Sequence, residues 1–379
     1  NKNNKLETLS NGLDENLINN LVIIPYNNYD ESIKILNKHL KNICCVMCEP
    51  IQGGLPDERG SKYIDKNLNF KNFFINTDTP FNKNLIKKIF AYIKIFFALI
   101  KSFYILLKIR PNLIIGMGGY VSFPICLVSA ILKIPVVLYE SNLILGRSNK
   151  FLLPICKKVI ISTDYLEDIP KKYEHKFISV GHIIREELYN IKNFNKGSIK
   201  TNNILIIGGS QGAEIFGKII PRVINQIKKD ISDIKIFQQC LNTQIEEIKS
   251  FYKNNNIEAE VFSFKKDIYK TILNTKLAIT RCGSSTLAEL VHTQTPFIAI
   301  PYPFALDDHQ YKNAKYYERK GYCVLIEQNN FNEKILFELM LNMIKDKNNL
   351  IEASNKMYNK KKEKVFYKIQ SIIDNLIYD

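Results

Sequence analysis

Three stretches of this sequence put glycine and small hydroxyl residues where a strand would hand over to a helix. Gly208-Gly209-Ser210-Gln211-Gly212-Ala213 follows an apolar run at 204–207 and opens a helical pattern over 213–229. Glycine lets the backbone turn sharply and approach a ligand closely. A helix start offers unpaired N–H groups and the positive end of the helix dipole to an anion. Ser210 adds a hydroxyl that can donate to a phosphate oxygen. Gly116-Met117-Gly118-Gly119, with Tyr120, Val121 and Ser122, is a second loop of this type. The third is Arg281-Cys282-Gly283-Ser284-Ser285-Thr286-Leu287-Ala288-Glu289. Glu289 falls one turn into that helix, and a carboxylate there can accept both hydroxyls of a ribose. Downstream, Pro301-Tyr302-Pro303 ends a strand, and Asp307-Asp308-His309-Gln310-Tyr311-Lys312-Asn313-Ala314 offers polar side chains suited to a sugar. His309 has no second histidine at helical spacing, so it reads as a surface or sugar-contacting residue rather than a metal ligand.

The elements that must carry these loops form a regular alternation. Apolar, β-branched runs at 113–115, 135–139, 158–162 and 177–180 alternate with helical stretches. After a polar, Asn/Lys-rich stretch at 190–202 the pattern restarts, with strands at 204–207, 235–238, 260–262, 277–280 and 297–300. Continuous apolar strands separated by helices indicate parallel sheets covered on both faces. The fold class expected is α/β, with two Rossmann-like domains facing a cleft. Beyond Asn330 the chain is helical, and the lysine run at 360–364 reads as a solvated helix face.

Composition narrows the partners. The net charge of +16 comes with lysine spread through a chain rich in Asn and Ile, not clustered with aromatics on one face. That distribution speaks against nucleic acid and leaves two readings: attraction to an anionic membrane surface or a phosphorylated substrate, or simply the compositional bias of a chain heavy in Asn, Ile and Lys throughout. Cys45 and Cys48 form a lone C-x-x-C, and the eight cysteines do not space as a disulfide framework, which fits a reducing cytoplasmic compartment. The most apolar stretch, 89–107, holds Lys94 and Lys101 in its interior and is flanked by Lys87, Lys88, Lys108 and Arg110. Two interior lysines are costly in hydrocarbon, so a helix that is packed, or lies against a membrane, is expected rather than one that spans it.

The run Gly118-Gly119-Tyr120-Val121-Ser122, then Glu140-Ser141-Asn142, then 208–213, 281–289 and 309–314, resembles the MurG family in order and spacing, from about Asp57 to the C-terminus. The resemblance implies a GT-B fold, here with an incomplete N-terminal domain. It implies an inverting, metal-independent hexosyltransferase that moves GlcNAc from UDP-GlcNAc to the undecaprenyl-linked acceptor lipid I, forming lipid II. The enzyme would work without a cofactor, peripherally, at the cytoplasmic face of the bacterial inner membrane. By position, Asn142 matches the family's sugar-site asparagine, Arg185 a nucleotide-binding arginine and Ser210 a phosphate-contacting serine. Lys265 falls where the family contacts uracil through its backbone. Ser284, Ser285, Thr286, Leu287, Ala288 and Glu289 match the loop and helix start around the nucleotide, and Gln310 the glutamine that reads the sugar. Gly118, Gly119 and Tyr120 belong to the acceptor side. Tyr139 and Ser141 depart from the family's His and Gln.

The family's first glycine-rich loop, with its histidine, has no counterpart before Asp57. Residues 1–56, through Glu49-Pro50-Ile51-Gln52-Gly53-Gly54, are instead similar to a segment of class III PLP-dependent aminotransferases of the glutamate-1-semialdehyde aminomutase group. A divergent first unit of the transferase is the alternative for this stretch. The divisions expected are therefore 1–56, 57–184, 185–345 and 346–379. Turnover is expected to be impaired, with the base open between Glu140 and a water. An inactive UDP-sugar-binding fusion and a transferase with another acceptor stand as alternatives.

Overall fold

The computed structural model describes residues 73, 75–81, 84–189, 202–209, 213–357 and 365–378. The expectations resting on 1–56, on Ser210 and on 360–364 lie outside them. Two compact units divide the chain between Val136 and Val137.

The first unit is dominated by α1 (Leu85–Ile109). Asn84 caps it, its Oδ1 accepting from the N–H groups of Ile86 and Lys87 at 2.9 and 3.3 Å. Arg110, in the left-handed region at φ 51°, ends it ahead of Pro111. Strand β1 (Ile114–Gly116) follows, then α2 (Gly119–Ile131). The residues that α1 buries are small or sit near its C-terminal end: Ala91, Ala98, Ser102, Ile105 and Leu106. Its large side chains face outward, among them Phe90, Phe96, Phe97, Ile100 and Tyr104. This inverts the pattern of a helix packed in a soluble core, where the large apolar residues point inward. By length and composition α1 is also able to cross a membrane.

The second unit begins with β2 (Val136–Glu140), α3 (Arg147–Leu152), β3 (Lys158–Ile161) and β4 (Phe177–Ser179). These strands pair in parallel, Val137 opposite Lys158 and Val159 opposite Phe177. A short α4 (Glu186–Tyr189) leads to the larger sheet. That sheet takes in β5 (Asn202–Ile207), α5 (Glu214–Asp230), β6 (Ile234–Gln239), α6 (Ile245–Asn254), β7 (Glu258–Phe262) and α7 (Ile268–Leu273). It continues through β8 (Leu277–Thr280), α8 (Ser284–His292), β9 (Phe297–Ala299), α9 (His309–Arg319) and β10 (Cys323–Leu325). Helices α10 (Glu333–Lys345), α11 (Lys347–Met357) and α12 (Val365–Tyr378) close the chain.

The strand order is β10-β9-β8-β5-β6-β7, and every pairing is parallel. The period-two alternation of a strand explains the two-sided burial. Ile204 and Ile206 of β5 pack with Phe216, Ile220 and Met340 on one face. Leu205 and Ile207 pack with Leu287, Leu290 and Tyr317 on the other. Burial on both faces is what writes these strands as continuous apolar runs. The strands expected from sequence are found, and β10 is added to them. Its residues Cys323, Val324 and Leu325 are apolar, but the strand is only three residues long, and Val324 is exposed at the end of the strand order.

Past β4 the chain is held by side-chain hydroxyls. The His182 ring nitrogen Nε2 lies 2.9 Å from the Tyr317 hydroxyl, and the His182 carbonyl accepts from Tyr189 at 2.6 Å. The N–H of Ile183 donates to the Tyr139 hydroxyl at 3.3 Å. Burial holds the His182 imidazole down at about 4. The unfolded value is roughly 6.5, so folding favours the neutral ring. Its contribution is full above that pH and is lost as pH falls toward 4. Between pH 7 and pH 5 the wild-type chain should therefore lose about 2 kcal/mol more stability than His182→Gln. Urea unfolding of both proteins at the two pH values checks this, and parallel losses would refute it.

Candidate functional site

The carboxyl ends of β2 and β8 carry the residues singled out in the sequence, as expected for ligand sites on open parallel sheets. Glu140, the last residue of β2, is buried at 5% exposure. Its Oε1 accepts from the backbone N–H and the Nδ2 of Asn142, both at 3.1 Å. Its Oε2 accepts from Gly146 N–H at 2.8 Å and Asn149 Nδ2 at 3.0 Å. A carboxylate has about four lone-pair sites, and all four are used. Burial pushes the Glu140 carboxyl up, while the donors from Gly146, Asn142 and Asn149 oppose that shift. This corrects the expectation that Glu140 could serve as base. It has no lone pair to offer a substrate hydroxyl, and it acts as the scaffold of the 141–146 loop.

At the end of β8, Arg281 is drawn inward. Its guanidinium donates to the carbonyls of Ile300 and Pro301 at 3.1 Å and to Gln328 at 2.5 Å, and lies over the rings of Phe216 and Tyr302. Burial lowers its pKa. Arg281 opens the third glycine-containing motif, and its residue type alone does not show what it does there. Its task here is to tie the ends of β8 and β9 together beneath the loop.

Gly283 then caps α8 in extended backbone, and a Cβ placed on it would meet nothing within 4 Å. The first intrahelical bond at this end is Leu287 N–H to the Gly283 carbonyl. The N–H groups of Ser284, Ser285 and Thr286 therefore precede the hydrogen-bonded ladder. Ser284 is nearly buried and donates its hydroxyl to Ser141 Oγ at 3.0 Å. Ser285 is exposed and Thr286 partly so. Leu287 and Ala288 belong to hydrophobic clusters, so their part is to seat the helix rather than to offer side chains.

Glu289 is 8% exposed, and its Oε1 accepts from Arg185 Nε at 2.6 Å, which brings together two residues 104 positions apart. Burial raises the Glu289 pKa, and Arg185 counters it. Gln310, near the start of α9, spends its Oε1 on the N–H groups of Cys282 and Tyr302 at 3.1 and 3.0 Å. Its amide nitrogen has no acceptor among the described residues. The amide of Asn313, one turn further, is bonded to the Leu143 N–H, the Asn142 Oδ1 and the Cys282 carbonyl. At 2% exposure, Asn313 is not one of the sugar-facing polar groups expected of 307–314.

Other residues stand apart from this cluster. Lys265 is locked by Glu260 at 2.6 Å and lies over Phe237 and Phe262, so its side chain is engaged within the protein. His309 Nδ1 bonds the Leu306 carbonyl at 2.8 Å. Gly209 has φ 82°, the conformation that its turn demands of glycine. In the first unit, Gly118 and Gly119 are also left-handed, and Ser122 Oγ donates to both their carbonyls ahead of a partly buried Tyr120.

Residues 57–161 match the glycosyltransferase family 28 N-terminal domain, and residues 203–369 the family's C-terminal domain. A UDP-N-acetylglucosamine--N-acetylmuramyl-(pentapeptide) pyrophosphoryl-undecaprenol N-acetylglucosamine transferase of Pelagibacter ubique is 37% identical over 302 residues, 79% of this chain and 83% of that protein. The chain belongs to the MurG family of glycosyltransferases. A relative of the same name from Rickettsia felis is 31% identical, across 82% of this chain and 87% of its own. The crystal structure of Acinetobacter baumannii MurG is similar with a TM-score of 0.62 and 25% identity, covering 77% of this chain and 83% of that one. Two parallel-sheet α/β domains of the GT-B class are thus the fold of the family and of this chain.

The scaffold role of Glu140 has a measurable cost. Glutamine offers one acceptor oxygen, so Glu140→Gln leaves about two of the four donors facing an N–H₂ group instead. Urea unfolding at pH 7 should show a loss of about 2 kcal/mol. Unchanged stability would mean that the four bonds do not hold the loop.

Proposed function

We propose that this chain transfers GlcNAc from UDP-GlcNAc to lipid I, forming lipid II, through a donor site built on the open start of α8. The observation that carries the proposal is the grouping at that point. Three N–H groups that precede the helix ladder stand beside a glycine with empty space over it, a buried carboxylate lies one turn in, and two amides are held at the loop ends. Anions bind such helix starts through the N–H groups and the dipole together. On this reading the diphosphate lies over Gly283 and α8, with Ser210 as a further donor. Glu289 takes the ribose hydroxyls on its remaining oxygen while Arg185 fixes the carboxylate. The Lys265 backbone meets the uracil, and Asn142 and Gln310 hold the sugar.

The chemistry is a single inverting displacement. An acceptor hydroxyl attacks the anomeric carbon, the bond from that carbon to the β-phosphate oxygen breaks, and UDP leaves with the electron pair. The proton of the hydroxyl goes to a base other than Glu140. The helix end stabilises charge as it grows on the departing phosphate, which lowers the barrier only to the extent that it binds the leaving group better than the bound donor.

The acceptor is a lipid, and α1 supplies a surface for one. A row of outward Phe, Ile and Tyr, flanked by Lys87, Lys88, Lys108 and Arg110, suits burial at an anionic membrane face. On this reading the enzyme works peripherally, on the cytoplasmic side of the inner membrane.

Calorimetry should detect UDP-GlcNAc binding by the wild-type chain, and labelled sugar should appear on a short-chain lipid I analogue. Gly283→Ala fills the open space without straining the backbone, so it should weaken UDP-GlcNAc at least tenfold while Tm stays within about 4 °C. Unaltered affinity in that variant would remove the diphosphate from α8. For the membrane face, the double substitution Phe96→Glu and Phe97→Glu should cut co-sedimentation with phosphatidylglycerol vesicles at least tenfold. Equal sedimentation of variant and wild type would rule out α1 as the contact.

A further inference from the structure

We infer that Asn313 is a positioning residue: it fixes which end of the Asn142 amide faces the donor sugar, through a one-way chain of hydrogen bonds that ends on Glu140. The inference rests on the reading of Asn142 as a sugar contact.

The direction of the chain follows from groups that cannot change roles. The Leu143 N–H can only donate, so the Asn313 atom 3.1 Å from it is Oδ1. The Cys282 carbonyl can only accept, so the Asn313 atom 3.1 Å from that oxygen is Nδ2. This Nδ2 also lies 3.2 Å from the Asn142 side chain, which must present Oδ1 to it. The Asn142 Nδ2 is then left facing Glu140 Oε1 at 3.1 Å, where an ionised carboxylate accepts. Turning the Asn142 amide over would set its oxygen against that carboxylate and two N–H₂ groups against each other.

Two buried residues thus hold Asn142 from both ends. Once they are satisfied, Asn142 retains one N–H and one lone pair for a ligand. Both point where the chain dictates, so a sugar with donor and acceptor in the matching order is selected. Asn313 itself is 2% exposed with both amide atoms engaged, so it acts only through Asn142.

Asn313→Asp tests this, because it keeps the shape and replaces the donating nitrogen with a second acceptor. The Asn142 amide then meets an acceptor on each side, the new carboxylate and Glu140, and its orientation is no longer fixed. Calorimetry with UDP and with UDP-GlcNAc separates the sugar contribution from the nucleotide. UDP affinity should stay within about twofold of wild type, while UDP-GlcNAc weakens by roughly tenfold, the size of one hydrogen bond. Asn142→Ala should lose the same increment, and the double variant no more than either alone. If Asn313→Asp does not fold, as a thermal melt would show, Asn313→Ala is read in the same way.

An equal loss for UDP and UDP-GlcNAc, an unchanged preference for the sugar, or additive losses in the double variant would each overturn the inference while leaving the donor site standing. Failure of the wild-type chain to bind either ligand would overturn the donor-site reading, and the inference with it.

Discussion

A carboxylate cut off from water must find its hydrogen bonds in the protein, and Glu140 finds four within nine residues of its own position. Much else follows from that constraint. The loop after β2 can close only in the shape that brings the Asn142 and Gly146 N–H groups to the two oxygens. That shape points the Asn142 amide at α9 and sets Ser141 Oγ against Ser284 at the start of α8. A residue that the sequence offers only as a weak candidate for a base turns out to be the fixed point of the loop that follows β2.

The central strands were legible because they are buried on both faces, so 204–207, 277–279 and 297–299 are apolar runs that stand out from the amphipathic helices; β6 and β7 are interrupted by Lys235, Gln238, Glu258 and Glu260. The glycine turns were legible too, because Gly118, Gly119 and Gly209 sit at positive φ, where other residues are strained. Pairings across the fold were not legible. Arg185 and Glu289 lie 104 positions apart, and Leu143 and Asn313 170 apart. Nothing in the local sequence marks Asn313 as buried or Arg281 as folded inward, since a polar residue in a polar run reads the same whether it meets ligand or protein. Glu140 was misjudged for a related reason. Its chemistry depends on how many donors surround it, and only the closed loop shows that number.

Two departures from the family pattern have structural occupations. The Tyr139 hydroxyl accepts from the Ile183 N–H, and Ser141 meets Ser284 through its hydroxyl while its carbonyl accepts from Ser162. Each new side chain thus enters the hydrogen bonding of the loop or of the segment behind it, and the loop's internal bonds run through Glu140 and its neighbours instead.

Helix α1 packs through alanine and serine, which sets how close it comes to the rest of its unit. A stripe of such small residues leaves no room for phenylalanine, so the helix cannot roll about its axis to hide its aromatic face without prying itself off α2. The face is therefore on display for as long as the unit is folded. The consequence is one of geometry: small residues on the packed side fix the aromatic residues on the other, and both are set by the same rotation of the helix.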